Sequence, residues 1–544
     1  MSNAETGYRA EIVCRPVELG SRPDELLALL SPDDEPALLD SSAPHPVYGR
    51  CSILACRPLE VLTLRDGVLR DRTQRVIASG TEEVWAELGK ALRPIAPAAA
   101  DASLPYAPGW IGYVGYEVGR IIERLPGRAV SDTHLPDLHL AFYDAILIRD
   151  AAGGRAWLAE LKFRDPAPPG AGAAAEMLRR LLALSPSKRL ASSPPTGQTG
   201  AVPLTSCHTL SSIEGCHACV LGSMSPVPGQ DMLPKTQAQH PIHRIIADRA
   251  PASNFTPDQY RRAVARCIEY IAAGDIFQVN LSQRFEVPVA PDPRTTYRML
   301  RACNPANYAA YLEFRRDGRL CAVLSSSPEL FLRVRGRHVI TRPIKGTRGR
   351  CGDERTDAAA CADLQASPKD NAELVMIVDL LRNDLGRVCR YGSIRVTEPA
   401  ALEAHPTVFH LVATVEGELR QDVDPAGLLR ATLPGGSITG APKIRAMEII
   451  DELEDIARGV YTGCLGIVAA DGACEWNIAI RTIVYDGGRA LLQAGGGIVA
   501  DSRPDDEYRE TLHKARALIE ALAMARAETD KDQITSTKRQ TSSK

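Results

Sequence analysis

Short β-like runs alternate with turns over residues 1 to about 163. Cys51–Leu54, Val61–Leu64 and Ala145–Ile148 are such runs. The segment from Gly109 to Glu117 carries glycine at 109, 112 and 115, which predicts a strand or turn with close backbone approach. From Arg164 to about Ser253 the composition shifts to Pro, Ala, Gly and Ser, with one helical stretch expected at Ala173–Leu184. This 164–253 segment reads as a surface insertion or linker joining two halves. Residues 254–526 are dense in patterned elements. The polar stretch 527–544 is expected to be a disordered tail.

Two helices in the second half have an unusual face. Ser367-Pro368-Lys369-Asp370 has the form of a helix start, with Ser as cap and Pro in the first turn, and Gly386 is a stop. At about 100° per residue, Leu374, Ile377, Val378, Leu381 and Leu385 form one apolar arc. Asp370, Glu373 and Asp384 fall inside it. After Arg503-Pro504, Ala515, Leu518, Ala521 and Leu522 define an apolar face that also takes in Glu507, Glu510 and Lys514, while Arg509, Arg516 and Glu520 lie opposite. Helix carboxylates ordinarily face water. Two acidic i, i+3 pairs turned inward need something to offset their burial. A hard divalent cation bridging Glu373 and Glu510 fits, with Asp370 and Glu507 acting through water or behind the ligands; Mg2+ suits one or two carboxylates, waters and an anionic substrate.

Glycine and basic residues extend this pattern. Leu433-Pro434-Gly435-Gly436-Ser437-Ile438-Thr439-Gly440-Ala441-Pro442-Lys443 precedes an amphipathic helix, where backbone N–H groups favour an anion. It lacks the Gly-Lys-Ser/Thr end of a nucleotide-binding loop. Gly495-Gly496-Gly497 allows close approach of a ligand, or forms a bulge or tight turn. Arg481 interrupts an apolar strand and needs an anion if buried. Together these residues predict a small substrate with more than one carboxylate, held by Mg2+, two cations and backbone amides.

Composition narrows the setting. The chain has 544 residues, with 64 Lys+Arg against 67 Asp+Glu, so nothing electrostatic favours a nucleic-acid or anionic-membrane partner. No apolar run is long enough to span a bilayer, and the first residues lack a secretory apolar stretch. A cytoplasmic enzyme is expected. Its 14 Cys are too sparse for a disulfide scaffold; isolated ones such as Cys267, Cys321 and Cys389 read as small buried hydrophobes. Cys207-His208 and Cys216-His217 with Cys219 have the residue types of a zinc site, in irregular spacing.

The second half resembles the chorismate-binding catalytic domain shared by anthranilate, aminodeoxychorismate, isochorismate and salicylate synthases. The resemblance rests on Gly274-Asp275-Ile276-Phe277-Gln278-Val279-Asn280-Leu281-Ser282, Ser327-Pro328-Glu329-Leu330-Phe331 and Pro343-Ile344-Lys345-Gly346-Thr347. Further matches are Ile377 to Leu385, His410-Leu411-Val412, Gly440-Ala441-Pro442-Lys443 and Glu507-Tyr508-Arg509-Glu510-Thr511. Residues 10 to about 163, including Leu38-Leu39-Asp40-Ser41-Ser42, are similar to the family's N-terminal half. The fold this implies is α+β, with two antiparallel sheets packed as a sandwich and flanking helices.

Two positions choose among members. Ammonia-using members have Gln where water-using ones have a Lys base, and here that residue is Gln278. Anthranilate synthases usually read Pro-Ile-Ala-Gly-Thr and aminodeoxychorismate synthases Pro-Ile-Lys-Gly-Thr; here the residue is Lys345. The resemblance therefore implies amination of chorismate at carbon 4, with anthranilate formation as the alternative. A non-catalytic homologue is disfavoured by the joint presence of Lys345, Glu329, Glu373 and Glu510. In the family's chemistry Lys345 is the nucleophile and Glu329 the acid and then the base. His410 and Ser437 match active-site positions. Gly440 belongs to a matched motif, and the resemblance implies that Tyr461, Arg481, Gly495, Gly496, Gly497 and Lys514 are the positions near the pyruvyl carboxylate. Cys464, in Thr462-Gly463-Cys464-Leu465-Gly466, is similar to a glutaminase nucleophile, but no His-x-Glu partner follows. It reads as a packing residue, so ammonia is expected from a separate glutamine amidotransferase (glutaminase) subunit.

Overall fold

The computed structural model describes all residues except 1–7, 44–47, 98–103, 152, 165, 185–250, 406–407 and 542–544. The described strands form two antiparallel sheets of twelve strands each. Both sheets draw on both halves of the chain. In one, Ala37–Asp40 pairs with Tyr308–Arg316, placing Asp40 opposite Ala309. In the other, Gly109–Val114 pairs with Cys464–Ala469, placing Val114 opposite Cys464. The two-sheet α+β fold expected from the sequence is present, and residues 10–163 are woven into it.

The period of two along each strand builds the layers. In Cys51–Ala55, Ile53 and Ala55 join Ile111, Tyr113, Leu465 and Ile467 of the opposite sheet, while Leu54 turns outward beneath helices. Ala145–Asp150 repeats this, with Ile146 and Ile148 inside and Leu147 outside. Each large aliphatic side chain so buried contributes about 1.5–3 kcal/mol.

Helices cover the outer faces. Ala173–Leu184, at the expected position, buries Ala174, Ala175, Leu178 and Leu181 against Leu54, Leu147 and Leu158. The Pro/Ala/Ser-rich segment therefore begins as part of the body, and Cys207 to Cys219 lie outside the described residues. Pro504–Thr541 packs Ala515, Leu518, Ala521 and Leu522 beneath the sheet carrying Leu324 and Leu492. This corrects the tail expected from 527: the helix continues to Thr541. No Gly or Pro follows Ala527 to stop it, and the turns already formed by the packed part of the helix spare the extension a nucleation step. Arg298 pairs with Glu528 at 2.5 Å and ties the extension to the body.

No described helix is long and apolar enough to cross a membrane. Cys267, Cys321 and Cys389 are buried, as expected. Burial pushes the first two thiols up to about 12 and Cys389 to about 11.

The glycines at 109 and 112 permit close approach of neighbouring strands. A Cβ on Gly112 would sit 1.9 Å from the His139 carbonyl oxygen. Gly112→Ala should therefore lower unfolding free energy by about 1–3 kcal/mol; an unchanged urea midpoint would refute this.

Candidate active site

The helix Pro368–Gly386 starts as its sequence dictates, with Ser367 Oγ accepting the Asp370 N–H at 3.2 Å. Leu374, Ile377, Val378, Leu381 and Leu385 are all buried. Asp384 is buried with them and pairs with Lys443 at 2.6 Å. This partner was missed in the sequence; a buried acid facing the Gly-Ala-Pro-Lys motif was the available signal. Glu373 stands one turn after Asp370, its side chain only 17% exposed and 4.0 Å from Lys369. Burial raises its pKa, Lys345 and Lys369 oppose the shift, and Asp370 and Glu510 add to it.

Lys345 lies on the strand Ile344–Gly349, which pairs with Val408–Glu418. The register slips between Lys345 and Thr347, around Gly346 at φ +74°. Such a bulge re-aims a side chain. Gly346 is needed here, because a Cβ would meet Leu364 at 2.7 Å and Asp370 at 3.0 Å. Lys345 Nζ donates to the Ser437 carbonyl oxygen at 3.4 Å. Burial lowers its pKa, against the pull of Glu373 and Glu329.

The turn carrying Ser437 is a 3-10 segment, Gly436–Ile438. Ser437 Oγ donates to Glu329 Oε1 at 2.7 Å. Burial raises Glu329 to about 7, against the Ser437 hydrogen bond and the Lys345 charge. The turn is wedged tightly: a Cβ on Gly436 would meet Leu380 at 2.5 Å, and one on Gly435 would meet Ile478 at 2.9 Å. Gly440, at φ +145°, follows on a short strand paired with Gln278–Val279.

Gly495, Gly496 and Gly497 form neither bulge nor turn. They sit within the strand Arg489–Ile498, opposite Ser282, Leu281 and Asn280. Their missing side chains leave room on both faces. A Cβ on Gly497 would fall 2.2 Å from Gln278 Nε2, and one on Gly496 would fall 2.9 Å from Glu507 Oε2. Lys514 Nζ donates to the Gly495 carbonyl oxygen at 2.9 Å and pairs with Glu510 at 2.7 Å. Burial works against the Glu510 charge, but Lys514 and Lys369 more than offset it and its pKa is lowered. The Glu510 side chain keeps 48% of its surface open.

The remaining predicted residues separate by role. Arg481 does not interrupt a strand; it lies in the connection between Cys474–Ile478 and Thr482–Asp486, immediately before the second, at φ +51°. No hydrogen bond of its guanidinium is found among the described residues, and burial lowers its pKa while Tyr461 and Glu510 oppose. Tyr461 is buried beside Arg458, which Glu454 holds at 2.7 Å. His410 is buried, its Nδ1 3.0 Å from Thr347 Oγ1. Burial, then His405 and Arg481, lower it to about 3, so the ring is neutral. Asp370 is engaged by Arg348 at 3.1 Å, and Glu507 Oε1 accepts from Ser502 at 2.6 Å.

No three His, Cys, Asp or Glu side chains converge as a metal site among the described residues. The donor set left for a cation is the pair Glu373 and Glu510. Mg2+ fits such a pair, because it keeps several waters and takes substrate oxygens. The burial that raises Glu373, reinforced by Glu510, is the strain a cation would relieve.

The family model of chorismate-binding enzymes matches residues 225–520. The chain is 35% identical to aminodeoxychorismate synthase component 1 of Bacillus subtilis, over 88% of this chain and 91% of that protein. It is 36% identical to anthranilate synthase component 1 of Thermus thermophilus, over 88% and 90%. The chain belongs to the chorismate-binding enzyme family. Its fold matches the crystal structure of anthranilate synthase component I from Streptococcus pneumoniae with a TM-score of 0.64, at 29% identity, covering 87% of this chain and 93% of that one. It is thus a chorismate-utilising enzyme of the anthranilate/aminodeoxychorismate synthase component I type.

The Ser437–Glu329 contact stabilises the charged carboxylate. Ser437→Ala should therefore move the Glu329 titration upward from about 7. Infrared titration of labelled Glu carboxyls reads this directly; an unchanged or lower midpoint would refute the assignment.

Proposed function

We propose that this enzyme makes 4-amino-4-deoxychorismate from chorismate and ammonia, as an aminodeoxychorismate synthase component I supplying p-aminobenzoate and folate synthesis. The observation that carries the reading is Lys345: a half-buried residue whose amine desolvation biases toward its neutral form, bonded to the same turn as a carboxyl that burial keeps protonated toward neutral pH. The two relatives at 35% and 36% identity divide between the two activities. Lys345, where anthranilate synthases usually have Ala, supports the first of the two.

The lone pair of Lys345 Nζ attacks ring carbon 2, the ring double bonds shift, and the carbon 4–oxygen bond breaks. Glu329 gives its proton to the departing hydroxyl, which leaves as water. Ammonia then attacks carbon 4, the double bonds return, and the bond from carbon 2 to Lys345 breaks. Glu329, now charged, takes the proton lost by the incoming nitrogen. Atoms balance as chorismate and ammonia giving aminodeoxychorismate and water. Arg481, Tyr461, Lys514 and the amides of Gly495 to Gly497 hold the pyruvyl carboxylate. Glu373 and Glu510 would hold Mg2+, which neutralises the ring carboxylate when bound. His410, neutral, orients the substrate from the strand beside Lys345.

Ammonia comes from a separate glutaminase subunit on this reading. Cys464, the one residue in a glutaminase-like sequence, is fully buried at the start of a strand, and burial raises its pKa.

Incubating the protein with chorismate, Mg2+ and ammonium salt should give aminodeoxychorismate with the enolpyruvyl group retained. Anthranilate with pyruvate would establish the alternative activity instead.

Without ammonia, intact mass should reveal an adduct on Lys345. Its rate of formation should fall as pH rises through about 7, because Glu329 then loses the proton it must donate. It should fall again in acid, where Lys345 gains a proton. Lys345→Ala should retain chorismate binding and lose turnover by orders of magnitude. Absence of the adduct, with normal aminodeoxychorismate production by Lys345→Ala, would reject the covalent route.

Glu373→Gln and Glu510→Gln should each abolish Mg2+-dependent turnover. The metal-free protein should be no less stable in Glu373→Gln, since a buried like-charge contact is removed. Ordinary activity of either variant at ordinary Mg2+ would reject the metal assignment.

A further inference from the structure

The loop that carries Ser437 is closed at its base by one side chain. Lys443 is the first residue of the helix Lys443–Leu453, and Thr432 is the last of the helix Pro425–Thr432. Lys443 Nζ donates to the Thr432 carbonyl oxygen at 3.3 Å and to Asp384 Oδ2 at 2.6 Å. The first contact satisfies one of the carbonyls that a helix C-terminus leaves without a partner. It also draws together the two ends of the loop 433–442. The second fastens the closed loop to the helix Pro368–Gly386.

This attachment lies on the helix face that also carries Glu373. Glu373, Leu380 and Asp384 are seven and four residues apart in sequence. At about 100° per residue they fall within roughly 20° either side of one line along the helix. A Cβ on Gly436 would meet Leu380, so the loop presses on this line at Leu380 and is tied to it at Asp384. The far side of the loop is held by other elements: Arg458 donates to the Ile438 carbonyl oxygen at 3.1 Å, and Gly440–Ala441 pairs with Gln278–Val279. Arg387 reaches the Ala431 carbonyl oxygen at 3.1 Å, but Ala431 precedes the loop. Ser437 sits between these anchors, with its hydroxyl on Glu329 and its carbonyl on Lys345.

An ion pair is a demanding way to join a loop to a helix. Both side chains are largely removed from water, 5% exposed for Asp384 and 14% for Lys443. Apolar side chains of similar volume in such a place give as much stability or more. They would also let the loop slide along the helix, whereas a charge-assisted bond of 2.6 Å fixes distance and direction. What the pair supplies beyond stability is position.

We propose that Asp384 and Lys443 are positioning residues for the reaction: their ion pair locks the loop 433–442 against the Glu373 helix and thereby sets Ser437 between Lys345 and Glu329. This rests on the proposed function only in taking Lys345 and Glu329 as the reacting groups.

The test uses the full chain and two readouts. One is chorismate consumption with ammonium sulfate at saturating Mg2+. The other is the infrared titration of the Glu329 carboxyl, identified by its loss in Glu329→Gln. The double variant Asp384→Leu with Lys443→Met replaces the pair by apolar groups and should unfold at or above the wild-type urea midpoint. Its kcat should nonetheless fall roughly tenfold or more, with KM for chorismate changed less than about threefold, as when an interaction made in the transition state is lost. Its Glu329 titration should move upward from about 7, because the Ser437 hydroxyl is withdrawn. Lys443→Arg, which keeps the charge and donors for Asp384 and Thr432, should recover much of kcat and restore the Glu329 midpoint. If the double variant fails to fold, Asp384→Asn is read in the same two ways. A normal kcat, or a reduced kcat with the Glu329 midpoint unmoved or lowered, overturns the inference. Failure of the wild type to consume chorismate, while the Glu329 midpoint shifts as stated, would instead overturn the proposed function.

Discussion

The site depends on one turn, Gly435 to Thr439, pressed between the Glu373 helix and the strand carrying Ile478. It has no room for side chains at its first two residues, and this fixes the path of its backbone. The Ser437 hydroxyl then meets Glu329, and the Ser437 carbonyl meets Lys345. The Ile438 carbonyl takes Arg458 and the Thr439 carbonyl takes Asn280. Main-chain groups of three successive residues thus position an amine, a guanidinium and a strand edge, and one hydroxyl holds the acid. A backbone clamp is well suited to this task because it carries no net charge. An ionic clamp on Lys345 or Glu329 would hold one of them in the wrong protonation state.

Desolvation sets those states. Burial lowers Lys345 and raises Glu329, so both are driven toward neutrality in the same cavity. Each still feels the other: the Lys345 charge would lower Glu329, and the Glu329 charge would raise Lys345. A pair able to ionise together would form a salt bridge, and neither the nucleophile nor the acid of the proposed reaction would remain. The interleaved sandwich supplies the depth needed for desolvation to prevail. Glu329 lies just before a strand of one sheet, while Gln278 and Gly495 to Gly497 lie on the other.

Periodicity made much of this legible. The arc of Leu374 to Leu385 placed Glu373 and Asp384 inward, and both are there. The cap at Ser367 was readable because its chemistry is local. Other features needed the fold. Asp384 is held by Lys443, 59 residues away, and no pattern along the chain announces a pair of that separation. The glycine triplet could be read as a close approach to a ligand or as a bulge or turn, because three glycines are rare within a strand. Only the facing Gln278 on one side and Glu507 on the other explain it. The polar stretch after Ala527 looked disordered because composition reports the lack of an apolar face; it does not report that an established helix can continue through such residues.

Charge in the cleft follows one further logic. The Glu510 charge adds to the burial that raises Glu373 and Glu507, yet Glu510 itself stays low because Lys514 and Lys369 lie beside it. Lys514 is thus committed to a carboxylate and a backbone carbonyl, whereas Arg481 has neither. A cation entering between Glu373 and Glu510 would compete with Lys514 for Glu510 and release it toward an incoming anion. Arg481, with its left-handed backbone just before the strand Thr482–Asp486, has no carboxylate partner among the described residues. On the proposed reading, a dianionic substrate and a divalent cation arriving together would compensate these groups, and either alone would leave part of the cleft uncompensated. Coupled binding of metal and substrate would then follow from the distribution of charge, before any step of chemistry begins.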